Sequence, residues 1–151
     1  VTTYHASPSA EIKGGKFDIS GDAVHGGSDF PRGVHSAPQI KNTFLDLNSG
    51  AFGDNIFKLE TAIKGDVLDL RNPDPKLIKK LSDDLQANYN DPRGTPHLLY
   101  LLGKIENGRY LEDMGIGREF LLRNGIDTIR DGSERIISLN PNNIRIMDKV
   151  K

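Results

Sequence analysis

Glu134 sits in the stretch GSERIISLNP, at the mouth of a short apolar run that Pro141 ends. A carboxylate in that place has two readings. It is a solvated turn charge, or it is the acid or the charge stabiliser of a reaction, which needs partners brought from elsewhere in the chain. The chain holds four histidines, His5, His25, His35 and His97. None stands in an H-x-x-x-H or H-E-x-x-H spacing, so no local zinc site is encoded. The absence of cysteine removes disulfides, thiolate metal sites and a cysteine nucleophile. Ser7 and Ser36 lie near histidines, yet the nucleophile elbow G-x-S-x-G is missing. No G-x-x-x-x-G-K-S/T occurs, and HGGSDF is not a dinucleotide fingerprint. A constellation of three short stretches survives: YHAS around His5, FPRGVHSAP around His35, and GSERIISLNP around Glu134.

Rigid elements must position such residues. VTTYHAS is β-rich and predicts a strand ending near His5. Residues 7 to 35 are glycine-rich; a loop of that length inside a compact domain is often functional, and its glycines permit close backbone approach to a ligand or plain turns. NIFKLETAI alternates apolar and polar residues as a half-buried strand does, with DVLDL a second strand or its continuation. NPDPKLIKKLSDDLQANY predicts a helix capped by Asp74, with Pro75 at its first position and Leu77, Ile78, Leu81 and Leu85 on one face. GTPHLLYLLGKI opens the same way, with Thr95 and Pro96, and predicts a buried helix. GREFLLRNG predicts a third, stopped by Asn124 and Gly125. IDTI and RIISL then read as strands around the turn RDGS, and NNIRIM as one more. Strands, then helices, then strands indicate an α+β fold.

The 151 residues fit a single domain spanning 1–151. Its start at Val1, directly in a β-like segment, reads as a processed chain or an excised domain of something longer. Hydrophobic residues at 36% predict one modest core. A net charge of −1 without basic excess argues against a dedicated nucleic-acid binder, because phosphate contacts need clustered Lys and Arg. No apolar run approaches the ~20 residues of a membrane-spanning helix.

In this order, the stretches resemble the ADP-ribosyltransferase-like fold. Within it they are similar to the histidine-containing branch of diphtheria-toxin-type enzymes, poly(ADP-ribose) polymerases, and the ADP-ribosyltransferase domains of phage and mobile-element polyvalent proteins. VTTYHAS resembles that branch's YHGS/T strand, FPRGVHSA its G-x-G-I/L-Y-F-A strand, and SERIIS its glutamate strand. IFKLETAIKGDVLDL resembles the middle strand and the segment after it, and REFLLRNGIDTIRDGSERIISLNPNNIRI the closing segment. The resemblance implies a split β-sandwich: two small antiparallel sheets, an NAD cleft between them and flanking helices. It implies NAD as substrate, no metal, and transfer of one ADP-ribose to a macromolecular acceptor, a protein before a nucleic acid. It also implies a toxin, effector or phage-encoded domain acting in a cytosol, delivered by a larger parent. Two alternatives stay open: an NAD glycohydrolase, and a non-catalytic binding or structural domain of a virion or assembly.

Carried over residue by residue, the resemblance makes Glu134 the catalytic carboxylate and His5 the ribose-binding histidine. Ala6, Ser7, Gly33, His35 and Ser36 complete the NAD-binding set. The chemistry suits these residue types. Splitting nicotinamide from NAD passes through a positively charged, oxocarbenium-like sugar, which a fixed carboxylate stabilises. An imidazole on a rigid strand holds a ribose hydroxyl, and a flat ring stacks on nicotinamide. Two positions depart from the branch. Ala6 stands where it has glycine, and His35 where it has tyrosine, a broader stacking surface. Phe17 and Phe30 are candidates for the pocket wall or the core. Arg32, Arg118 and Arg123 are candidates for a pyrophosphate, and Arg135 for a surface ion pair beside Glu134.

Overall fold

The structure is a computed structural model that describes residues 1–12, 15, 17, 33–41, 46–89, 117–132 and 134–151. Its strands, in chain order, are β1 (Thr2–Ser7), β2 (Val34–Ser36), β3 (Asn55–Thr61), β4 (Asp66–Asp69), β5 (Ile126–Arg130), β6 (Ile136–Ser138) and β7 (Ile144–Lys149). Among the described residues, two helices, α1 (Pro75–Tyr89) and α2 (Arg118–Arg123), stand between β4 and β5. Most of the glycine-rich stretch, the helix expected from GTPHLLYLLGKI, and His25, Phe30, Arg32 and His97 lie outside the described residues.

The protein is α+β, with two small sheets. The first has the order β1-β3-β7 and the second β2-β6-β5-β4. Pairing in the first is antiparallel, and its register sets two faces. Ala6 lies opposite Ile56, and both join Ala37 and Leu47 in one apolar cluster. One residue earlier, His5 lies opposite Phe57, and Thr3 opposite Leu59. Successive strand side chains point to opposite faces, so His5 shares the face of Phe57 and Leu59. Those two pack with Val34 of the second sheet, with Ile144, and with the partly buried Ile12, Phe17 and Ile146. That cluster is the contact between the sheets.

The second sheet departs from the sequence expectation of antiparallel strands throughout. β4 and β5 pair in parallel, whereas β2–β6 and β5–β6 are antiparallel. Parallel neighbours cannot be joined by a hairpin and need a crossover connection. The chain between β4 and β5 supplies one, and it carries α1 and α2.

α1 begins where Asp74 and Pro75 predict. The Asp74 carboxylate accepts the backbone N–H of Lys76 at 2.9 Å, and its carbonyl accepts that of Ile78 at 3.0 Å. Leu77, Ile78, Leu81 and Leu85 are all buried, packed with Leu68, Ile129 and Ile137 of the second sheet and with Phe120 and Leu121 of α2. Burying side chains of this size stabilises the fold by roughly 1.5–3 kcal/mol each before ordering costs. α2 ends at Asn124, and Gly125 follows at φ 79°, the left-handed conformation a helix stop favours. The main core therefore lies between the helices and one face of the second sheet, and the first sheet covers the other.

Candidate functional site

The two sheets meet edge to edge at Tyr4 and Ala37. The Tyr4 N–H donates to the Ala37 carbonyl at 2.7 Å, and the Ala37 N–H donates back at 2.9 Å. This bridge draws the next residue of β1, His5, against the edge of β2. Its Nδ1 lies 2.6 Å from the His35 carbonyl oxygen. A carbonyl only accepts, so Nδ1 carries the proton, a tautomer assigned from the partner's chemistry. Burial holds the imidazole pKa below its ordinary value, outweighing the carbonyl bond, which raises it. The ring is therefore neutral at pH 7 and presents Nε2 as a hydrogen-bond acceptor. Phe17 packs on it edge to face, with centroids 4.9 Å apart at 77°.

The neighbouring candidates divide by face. The Ala6 methyl points away from His5 into the cluster with Ala37 and Ile56, which gives the residue at the branch's glycine position a packing role. The Ser7 hydroxyl accepts the N–H of Ser9 at 3.1 Å. Gly33 packs on β6: a Cβ there would stand 2.6 Å from the Ser138 carbonyl oxygen and 2.9 Å from Ile137 Cγ2. Its close backbone approach is to the second sheet. Ser36 is buried, on the same face of β2 as Val34. His35 contributes its backbone to His5. Its side chain leaves β2 on the face of its register partner Ile137, and its Nδ1 is 3.4 Å from Arg135 Nη1.

Glu134 lies in the β5–β6 turn with φ 64°, the one non-glycine residue at positive φ among the described residues. The left-handed backbone costs an L-residue about 1–2 kcal/mol, so something must hold the turn. Asp131 does. Its carbonyl accepts the Glu134 N–H at 3.2 Å, and its carboxylate takes the Arg135 backbone N–H at 3.1 Å and Nε at 2.9 Å. Arg135 Nη2 is 2.9 Å from the same carboxylate, with side-chain exposures of 17% for Arg135 and 0% for Asp131. The surface ion pair expected of Arg135 is thus a buried one, and it belongs to Asp131. The sequence reading missed Asp131 because an aspartate in RDGS is also an ordinary turn residue; the Arg four positions on was the available signal.

Glu134 also lines a depression of about 190 Å³ with Pro38, Arg71, Arg130 and Ile136. Ile136 is in register with Ser36 on one side and Arg130 on the other. The depression therefore opens on the Val34–Ser36 face of the second sheet, the face turned to the first sheet and His5. Neither histidine is among its described lining residues. The arginines beside Glu134 are Arg71 and Arg130, which the sequence reading did not select. Of the three it named, Arg32 lies outside the described residues and the other two are engaged elsewhere: Arg118 Nε donates to the Leu139 carbonyl at 2.8 Å, and Arg123 grips Asp84 at 3.0 and 2.8 Å. No cluster of three metal-ligating side chains occurs among the described residues. Comparisons with protein-family models, curated proteins and solved structures returned no match.

Proposed function

We propose that the chain is an ADP-ribosyltransferase that takes NAD as substrate and adds one ADP-ribose unit to a macromolecular acceptor. The sequence resemblance supplies the class. The observation that carries it to this chain is the state of His5: neutral, anchored through Nδ1 to an edge-strand carbonyl, with Nε2 left as an acceptor. That is the tautomer needed to receive a hydrogen bond from a ribose hydroxyl. Glu134, on the β6 turn and facing the same inter-sheet side, supplies the carboxylate for the positive charge that develops on the sugar. Its strained backbone fits a residue held for chemistry rather than for packing.

In this reaction the bond between the ribose carbon and the nicotinamide nitrogen breaks. Nicotinamide leaves neutral, taking the electron pair. The acceptor's nucleophile supplies the pair for the new bond to the same carbon and gives up its proton to solvent. Water in the acceptor's place makes the reaction a glycohydrolase.

A second reading has its own support. The Phe17 edge on the His5 ring and the packing of the Ala6 methyl also suit a structural histidine in a non-catalytic domain of this architecture. Incubation of a cell lysate with the protein and labelled NAD, followed by mass spectrometry, separates the readings. A modified protein band is the expected result. Free ADP-ribose without a band means glycohydrolase, and intact NAD overturns the enzymatic reading.

A further inference from the structure

The two histidines of the site are held by different chemistry. His5 donates from Nδ1 to the His35 carbonyl at 2.6 Å. The His35 ring meets a donor instead: its Nδ1 lies 3.4 Å from Arg135 Nη1. A guanidinium has N–H donors only and no acceptor. His35 Nδ1 is therefore the acceptor in that contact, and the proton of the neutral ring sits on Nε2. The direction of Nη1 is set from the other side. Arg135 Nε and Nη2 both lie 2.9 Å from the Asp131 carboxylate, and a planar guanidinium gripped at two of its nitrogens has its third fixed as well. Asp131 is wholly buried and Arg135 mostly so, which leaves solvent little room to compete. Register brings the groups together. His35 lies opposite Ile137 of β6, and Arg135, two residues before Ile137, is its diagonal neighbour on the same face.

One ion pair thus touches both halves of the site. The Asp131 carbonyl accepts the Glu134 N–H at 3.2 Å, and the Asp131 carboxylate holds Arg135. Arg135 holds the ring of His35, whose carbonyl anchors His5. We infer that Arg135 is a positioning residue: gripped by Asp131, it locks the His35 ring in the Nε2–H tautomer, opposite to that of His5, and so ties the strand that anchors His5 to the turn that carries Glu134. A lysine lacks the fork. Its ammonium is a point charge that can pair with Asp131 without fixing any direction toward His35. The consequence for catalysis rests on the proposed reading, under which this tie sets how His5 and Glu134 stand relative to the sugar of NAD.

The test reads the ring nitrogens of both histidines by NMR in the full chain at pH 7. Wild type should show His5 protonated at Nδ1 and His35 protonated at Nε2. Arg135→Lys should leave His5 as it is and turn His35 into a mixture of the two tautomers. A wild-type His35 that carries a proton on Nδ1 overturns the inference without any variant, whether or not Arg135→Lys folds. A His35 spectrum unchanged in a folded Arg135→Lys protein overturns it too. Nicotinamide release from NAD then separates this inference from the proposed reading. Under that reading Arg135→Lys should lower kcat roughly 10-fold to 100-fold, the scale of a misplaced catalytic group, with KM changed less. The expected tautomers in a wild type that does not turn over NAD leave the lock standing and sink the enzyme reading. Unchanged kcat in an Arg135→Lys protein whose His35 has lost its single tautomer sinks the positioning role and leaves the enzyme.

Discussion

Asp131→Asn removes one charge from the turn that carries Glu134 and nearly preserves its shape. Asp131 is wholly buried and Arg135 is 17% exposed, so solvent screens the pair little. The carboxylate receives three donors from Arg135: the backbone N–H at 3.1 Å, Nε at 2.9 Å and Nη2 at 2.9 Å. Removing one partner of a buried pair costs about 3–5 kcal/mol, chiefly because the other charge stays behind without its counter-charge. Asparagine keeps one oxygen acceptor, which places the loss near the lower end, about 3 kcal/mol. For a domain of this size each kcal/mol moves Tm by roughly 2–4 °C, so the expected drop is about 6–12 °C. Thermal unfolding followed by circular dichroism at pH 7 measures it, with urea unfolding as a second determination. The double variant Asp131→Asn/Arg135→Met should recover much of the loss, since no lone buried charge remains. A drop below about 2 °C for Asp131→Asn would show that the pair behaves like a screened surface pair, and the reasoning about the turn would be wrong.

Three other outcomes are expected. Gly33→Ala, which would put a Cβ 2.6 Å from the Ser138 carbonyl oxygen, should destabilise the protein by about 1–3 kcal/mol in urea unfolding; an unchanged midpoint would mean β2 and β6 separate easily. Glu134→Gly relieves the left-handed backbone at φ 64°, so stability should hold or rise by up to about 1 kcal/mol, while nicotinamide release is lost. The His5 pKa is lowered in the folded state by burial. The folded protein therefore binds fewer protons than the unfolded chain between the folded value and about 6.5, and the stability this group gives is complete above that window. It is lost as pH falls through the folded value, with a slope of at most about 1.4 kcal/mol per pH unit. Stability curves of wild type and His5→Gln that stay parallel between pH 7 and 4 would contradict this.

Local pattern was legible wherever one face of an element meets the core. Asp74, Pro75 and the Leu77–Ile78–Leu81–Leu85 stripe specify α1, and Asn124 with Gly125 specifies the end of α2. The strands around His5, the alternating NIFKLET and the two strands flanking RDGS are where the sequence puts them. Tertiary pairing was less legible. β4 has the short apolar look of any strand, and nothing local says that its neighbour is β5 in parallel, because that choice is made by the helices between them. The site divides in the same way. His5 and Glu134 stood out because a histidine and a carboxylate bordered strands. The His35 backbone carbonyl leaves no mark on the sequence, since every residue has one. Asp131, Arg71 and Arg130 were missed because each reads as a turn or strand-end charge until pairing brings Arg130 opposite Ile136 and Arg135 back onto Asp131.

The most direct measurement is the rate of nicotinamide release from NAD by the wild-type chain and by Glu134→Gln, which keeps the shape of the side chain and removes its charge. Because the carboxylate acts on charge that develops only as the bond breaks, the rate should fall roughly 10²-fold or more, while NAD affinity changes far less. A circular dichroism melt on the same samples should show both proteins folded, the exposed side chain leaving stability within about 0.5 kcal/mol. Equal rates of nicotinamide release from an active wild type and its Glu134→Gln variant would contradict the assignment and return Glu134 to the surface charges.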